Sequence, residues 1–240
     1  MTGALRGISS MATRSLLFAL GNDYRKETGE AVEFESVGGV EVPRRLRDGE
    51  SFDFVVLAAK ALQTLAVEDL VIEASQVPFA VSAMALAVRA GAGKPSIASG
   101  DELLRALCAA ASIGYSTGPS GDALLQLLER AGMLPELRPR LLRAPPGFPV
   151  ARLVAEGNAE LGLQQLSELA GVDGVEVVGK LPAGMEADTV FAAAICTRSP
   201  RPEEARAFLD FLASPAAGVA IVKAYMSPYR ESRKAGATAT

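Results

Sequence analysis

Short apolar runs alternate with segments of helical period along most of this chain. That alternation is the signature of a parallel β-sheet covered by helices, an α/β fold. Leu5-Arg6-Gly7-Ile8 predicts a first strand, and Met11 to Lys26 a helix with Leu16, Leu17, Leu20 and Tyr24 on one face. Ser9 or Ser10 stands where its N-cap belongs. Ala31 to Val37 predicts a second strand, Gly38-Gly39 its turn, and Val40 to Arg47 a short helix that Gly49 terminates. Phe52 to Ala58, nearly all apolar, reads as a strand buried on both faces. Each strand's C-terminal end leads into a loop and a helix, and in open α/β sheets ligands bind along that edge.

The pattern changes near Gln76. Val77 to Val81 and Met84 to Val88 are apolar runs with no crossover helix between them, which predicts strands carrying the chain into a second lobe. There Asp101 to Ala111 predicts a helix with Asp101 near its start, Ser112 to Tyr115 a strand, and Ser120 to Ala131 a helix with Leu124, Leu127 and Leu128 inward. Val150 to Glu156 reads as a further helix, Leu161 to Leu163 as a strand end, Thr189 to Cys196 as the return strand, and Pro202 to Ala213 as an amphipathic helix. Residues 1–80 with 190–240 then form a discontinuous first lobe and 81–189 the second, a division that suits 240 residues better than one core. Glu231 to Thr240 offers little to bury and reads as a tail.

The residue inventory excludes much chemistry. Without histidine there is no Ser-His-Asp or Cys-His arrangement and no His/Cys zinc site, so no metal is expected, and no motif asks for a cofactor. Cys108 and Cys196 sit in apolar runs and read as buried, inert thiols. A net charge of −4 lacks the positive field that nucleic acid needs, so no nucleic-acid partner is expected and any anion site is local. No apolar run reaches the length of a membrane span, so no membrane insertion is expected. No leader precedes the first strand: the protein is cytoplasmic if Met1 is the natural start, and periplasmic if a signal peptide was removed.

Four strand-end segments share glycine, hydroxyls and amides. Ser9, Ser10 and Met11, with Arg14 one turn on, offer hydroxyls and the free N–H groups of a helix start to an anion, against plain capping. Gly38, Gly39 and Val40 form a second turn into a helix. Tyr115-Ser116-Thr117-Gly118-Pro119-Ser120-Gly121 is the most informative, an N–H nest with Thr117 and Ser120 as added donors and Gly121 inside it, against an ordinary capped turn. It lacks the lysine of a Walker A loop. Gln164 and Gln165 follow a strand, and two adjacent amides there place at least one toward a cleft. Arg44 and Arg45 read as a solvated helix face. Tyr115, Lys60 and Glu168 are the ionisable residues nearest the expected cleft.

Ser9-Ser10 after strand one, Val37-Gly38-Gly39, Phe52 to Ala58, the Ser116 to Gly121 loop and Phe211-Leu212-Ala213-Ser214-Pro215 together resemble the molybdate-binding proteins among the type 2 periplasmic binding proteins. The resemblance implies two α/β lobes closing on a ligand in an interlobe cleft. It departs where Gly38-Gly39-Val40 stand for an expected serine and Gln164-Gln165 for an expected tyrosine, which resembles a divergent, aconitate-isomerase-like branch. Two functions follow. The first is a solute-binding protein for a small polyanion, a polycarboxylate or an oxyanion, with an ABC transporter membrane component as partner if exported. The second is an isomerase on the same fold, shifting a proton along a polycarboxylate. A cytoplasmic sensor is a third class. Amides and an open turn favour carboxylates such as citrate or aconitate over a compact tetrahedral ion.

Overall fold

The computed structural model describes residues 3–230. The tail expected from Glu231 to Thr240 lies outside the described residues. Among the described residues, eleven strands form two sheets. The first has the order β11-β4-β10-β3-β1-β2 and comprises β1 (Leu5–Ser10), β2 (Val32–Val37), β3 (Phe54–Ala58), β4 (Val77–Ser82), β10 (Thr189–Ile195) and β11 (Ser227–Pro228). The second has the order β7-β6-β8-β5-β9, from β5 (Met84–Arg89), β6 (Ile113–Tyr115), β7 (Leu141–Arg143), β8 (Leu161–Gln165) and β9 (Val175–Lys180). The helices are α1 (Arg14–Thr28), α2 (Glu41–Arg47), α3 (Ala59–Val67), α4 (Gly100–Ala109), α5 (Pro119–Arg130), α6 (Leu134–Leu137), α7 (Val150–Ala155), α8 (Leu166–Leu169), α9 (Pro202–Leu212) and α10 (Gly218–Lys223).

In the first sheet β1 runs parallel to β2 and β3, while β10 pairs antiparallel with β3 and β4. Every residue of β3 is buried, as its unbroken apolar run predicts. Its side chains alternate between two cores. Phe54 and Val56 join Leu16, Leu17 and Leu20 of α1 and Phe208 and Leu209 of α9, whereas Val55 and Leu57 join Val42 of α2 and Leu62 and Leu65 of α3. In the second sheet β6 is parallel to β7 and β8, and β5 is antiparallel to β8 and β9. Leu103 and Leu107 of α4 and Leu124, Leu127 and Leu128 of α5 pack with Leu86, Ile113 and Leu163 of its strands. No single helix among the described residues is long and apolar enough to cross a membrane.

Two details differ from the sequence reading. The first strand continues through Ser9 and Ser10, so these serines end a strand instead of lying in the turn beyond it. Met11–Thr13 then forms a 3-10 turn before α1 opens at Arg14, and neither serine hydroxyl caps a helix. Asp101 stands in the first turn of α4, as expected, and the cap, which the sequence reading did not name, is Ser99, whose Oγ accepts the Glu102 N–H at 3.3 Å.

Candidate functional site

The parallel strands fix where loops gather. β1, β2 and β3 end on one edge of the first sheet, and β6, β7 and β8 end on one edge of the second. The two edges touch. Gly38, beyond β2, lies so close to the loop after β7 that a Cβ on it would stand 3.2 Å from the Gly147 N. Ser167 of α8 donates to the Ala12 carbonyl at 3.2 Å and lies 3.3 Å from the Ser82 hydroxyl. Between the sheets the chain passes from β4 to β5 through Ala83 alone and returns into β10, where Gln165 Nε2 donates to Thr189 Oγ1 at 2.6 Å.

On the first sheet's edge, Ser10 is 9% exposed and its Oγ is buried without a partner among the described residues. Gly39 lies beside it, with an added Cβ 4.0 Å from Ser10 Cβ. Ser9 is fully buried and engaged, its Oγ 2.8 Å from Ser36 Oγ, a pairing set by the parallel register that puts Ser9 opposite Ser36. Two hydroxyls sharing one hydrogen bond leave one proton to donate elsewhere. Met11 is partly buried in the 3-10 turn, Arg14 is exposed at the start of α1, and Val40 is 53% exposed, outside the contact. Arg44, paired with Glu41 and Asp48, is exposed as a solvated helix face would have it, whereas Arg45 departs from that reading: its side chain is 16% exposed, lies over the Phe52 ring and is held by Glu35 and Glu50.

On the second sheet's edge, Ser120 is 2% exposed and pairs with Ser116 at 2.9 Å. The Gly118 N–H donates to Ser116 Oγ at 3.2 Å. Gly121 is required here: a Cβ would lie 1.9 Å from the Ser116 carbonyl oxygen. Thr117 is partly buried at the tip of the same loop. The two glutamines divide their roles. Gln164 Oε1 accepts the Val150 N–H at 3.1 Å and so satisfies the first turn of α7 from within the core. Gln165 is 2% exposed, and its Oε1 has no partner among the described residues. Thr189 Oγ can accept from the amide nitrogen or donate to the amide oxygen, so either end of this amide can be the one left for a further partner.

Sequence reasoning passed over Ser36, Ser116, Ser167 and Gly147 as site residues. Ser116 stood within the Tyr115 to Gly121 segment, and Ser36 within the predicted second strand. Gly147 sits in the Pro145-Pro146-Gly147 loop, and only its packing against Gly38 marks it. Glu168, beside Ser167, is partly accessible, and burial alone pushes its carboxyl up to about 7. Lys60 is exposed on α3. Both cysteines are free; Cys196 is buried and its thiol is pushed up to about 12 by desolvation first and by Asp53 second, whereas Cys108, expected to be buried, is only partly so. A groove between α1 and α10, lined by Ser15, Ala19, Val219 and Lys223, contains none of the residues above.

Two α/β sheets whose strand-end edges meet, joined by adjacent antiparallel strands, form the two-lobed fold of the type 2 periplasmic binding proteins. Residues 5–226 match the bacterial extracellular solute-binding protein family, and the chain belongs to that family. It is 35% identical to aconitate isomerase of Pseudomonas sp over 210 residues, 85% of this chain and 80% of that protein. It is 32% identical to the molybdate-binding protein ModA of Azotobacter vinelandii over 115 residues, 45% of this chain and 44% of that one. Among solved structures, the Azotobacter vinelandii periplasmic molybdate-binding protein superimposes with a TM-score of 0.78 at 21% identity, covering 94% of this chain and all of that one. A periplasmic thiamin binding protein does so with a TM-score of 0.76 at 19% identity, covering 95% and 84%.

Proposed function

We propose that this protein closes its two sheet edges on a polycarboxylate of the aconitate kind and shifts a proton along it. The likeness to aconitate isomerase over 85% of the chain carries this reading, because the likeness to ModA spans 45%. The chemistry of the edges supports it. Ser10 Oγ and the Gln165 amide are buried polar groups short of a partner among the described residues, and a buried polar group left so costs about 1–3 kcal/mol. Ser10 Oγ can donate to a carboxylate oxygen, and the Gln165 amide does so with its nitrogen turned to the ligand and its Oε1 accepting from Thr189. The Ser9–Ser36 and Ser116–Ser120 pairs each keep a hydroxyl proton to donate, one pair on each edge. Fixed neutral donors of this kind hold an anion without a compensating cation and stabilise charge that spreads onto a carboxylate as a C–H bond breaks. A ligand with carboxylates at both ends spans the edges, whereas a compact tetrahedral ion reaches fewer donors.

A second reading, capture of an anion without chemistry, is favoured by the family itself. An exported form would deliver the ligand to the membrane component of an ABC transporter.

One titration separates the readings. Thermal shifts with citrate, cis-aconitate, trans-aconitate, molybdate and sulfate at fixed pH and salt rank the ligands, since binding to the native state raises apparent stability. Proton NMR of the aconitate samples then reads interconversion. Carboxylate binding with interconversion is expected. Carboxylate binding without it leaves the capture reading, and a response to molybdate alone overturns the polycarboxylate assignment.

A further inference from the structure

We propose, resting on the proton-shift reading above, that the Glu168 carboxylate is the base that takes the proton from the substrate carbon and returns it at the far end of the allylic system. Glu168 lies on α8, the single turn that follows β8 at the edge of the second sheet. α8 packs on the 3-10 turn that follows Ser10, and Ser167 ties the two through the Ala12 carbonyl. Glu168 is therefore next to the point where the two edges touch. Glu168 is partly accessible, and burial is the one influence on its carboxyl, with no hydrogen bond or nearby charge acting on it among the described residues.

The charged groups on the elements packed against α8 leave it alone. Arg152 of α7 holds Glu156, Glu176 of β9 holds Lys94, and Arg89 of β5, Lys180 of β9 and Arg14 beyond the 3-10 turn make no pair with it. A carboxylate neutralised by a cation is a weak base; a desolvated one free of cations is a stronger base that still reaches its substrate through an open side. The other ionisable candidates fit less well. Tyr115 packs against the second core, and Lys60 is exposed on α3.

In the step itself, Glu168 removes a proton from the methylene carbon and the C–H electron pair becomes the new C=C bond. The π pair of the old C=C bond takes a proton at its far carbon. Glu168 supplies that proton and ends as a carboxylate again, so no oxidant, reductant or leaving group is involved. Charge developing on the flanking carboxylate falls to the neutral donors of the two edges.

The test is Glu168→Gln, which keeps the shape and removes the base. Wild type in D2O should interconvert cis- and trans-aconitate and exchange the methylene hydrogens, read by NMR. Glu168→Gln should bind trans-aconitate within about threefold of wild type by calorimetry while kcat falls at least about a hundredfold and KM stays near its wild-type value. Glu168→Asp, with a shortened carboxylate, should retain partial exchange and keeps the test open if the glutamine variant does not fold. The wild-type rate should rise with pH to a plateau through an apparent pKa near 7. Active wild type with an equally active, folded Glu168→Gln, or a rate flat across that pH range, overturns the assignment of Glu168. Wild type that binds aconitate but neither interconverts nor exchanges it overturns the isomerase reading, and the base with it.

Discussion

Gly38 and Gly147 meet across the two sheets, and a Cβ on Gly38 would stand 3.2 Å from the Gly147 N. Gly147 itself has φ +76, a conformation that other residues adopt at a cost, so the contact is backbone against backbone from both sides. Replacing Gly38 by valine wedges the edges apart while leaving each core intact. Ligand affinity should fall by about tenfold or more, with a melting temperature in the absence of ligand close to wild type. Calorimetry with the ranked ligand and a thermal melt read the two quantities, and unchanged affinity would show that closure does not use this contact.

Ser10→Ala separates binding from stability by sign. The wild-type hydroxyl is buried without a partner among the described residues, so its removal should leave the ligand-free protein as stable or slightly more stable. The same change should weaken ligand binding by about 1–3 kcal/mol, the worth of a hydrogen bond to a charged group. A loss of ligand-free stability instead would return Ser10 to a structural role.

Gly121→Ala should be the most damaging of the single changes at the site. An added Cβ would lie 1.9 Å from the Ser116 carbonyl oxygen, so the loop that pairs Ser116 with Ser120 must rearrange. A loss of about 1–3 kcal/mol of stability is expected, together with loss of ligand response, by chemical denaturation and thermal shift.

Glu168 also gives stability a pH slope. Its carboxyl is raised by burial from 4.5 to about 7, so between those values the folded chain keeps a proton that the unfolded chain has released. Stability should therefore fall as pH rises through that window and level off above it, by on the order of 3 kcal/mol for this group. Comparing urea midpoints of wild type and Glu168→Gln from pH 4.5 to 8 isolates it. The glutamine variant should lack that part of the slope, and identical slopes would mean that the carboxyl is not desolvated.

The elements legible in the sequence were those whose pattern is set by burial on a fixed period. β3 is apolar throughout because both its faces are covered, and α5 and α9 show their leucines at helical spacing because one face meets a sheet. β7 and β9 escaped reading because they are the two edge strands of the second sheet, with no residue fully buried, whereas the equally short β6 lies inside it and was read. The cap of α4 is written in Ser99 and Glu102, a Ser-x-x-Glu spacing that went unread, although Asp101 was rightly placed near the helix start. Of the site, the glycines and serines at strand ends were visible as types, but their engagements were not. Ser9 is tied to Ser36 by the register of two strands, and Gln164 is turned inward by a helix that begins fourteen residues earlier. Such pairings depend on where segments meet in space, which local composition does not encode.

The order of strands in the first sheet also bears on how the chain is made. β10 lies between β3 and β4, yet it is synthesised only after every strand of the second sheet, from Met84 to Lys180, has left the ribosome. The facing edges of β3 and β4 thus remain unpaired while the inserted sheet completes itself, an interval on the order of ten seconds at bacterial elongation rates. A nascent chain stopped before Thr189 would carry two open, apolar strand edges, the kind of surface that recruits chaperones or joins other chains.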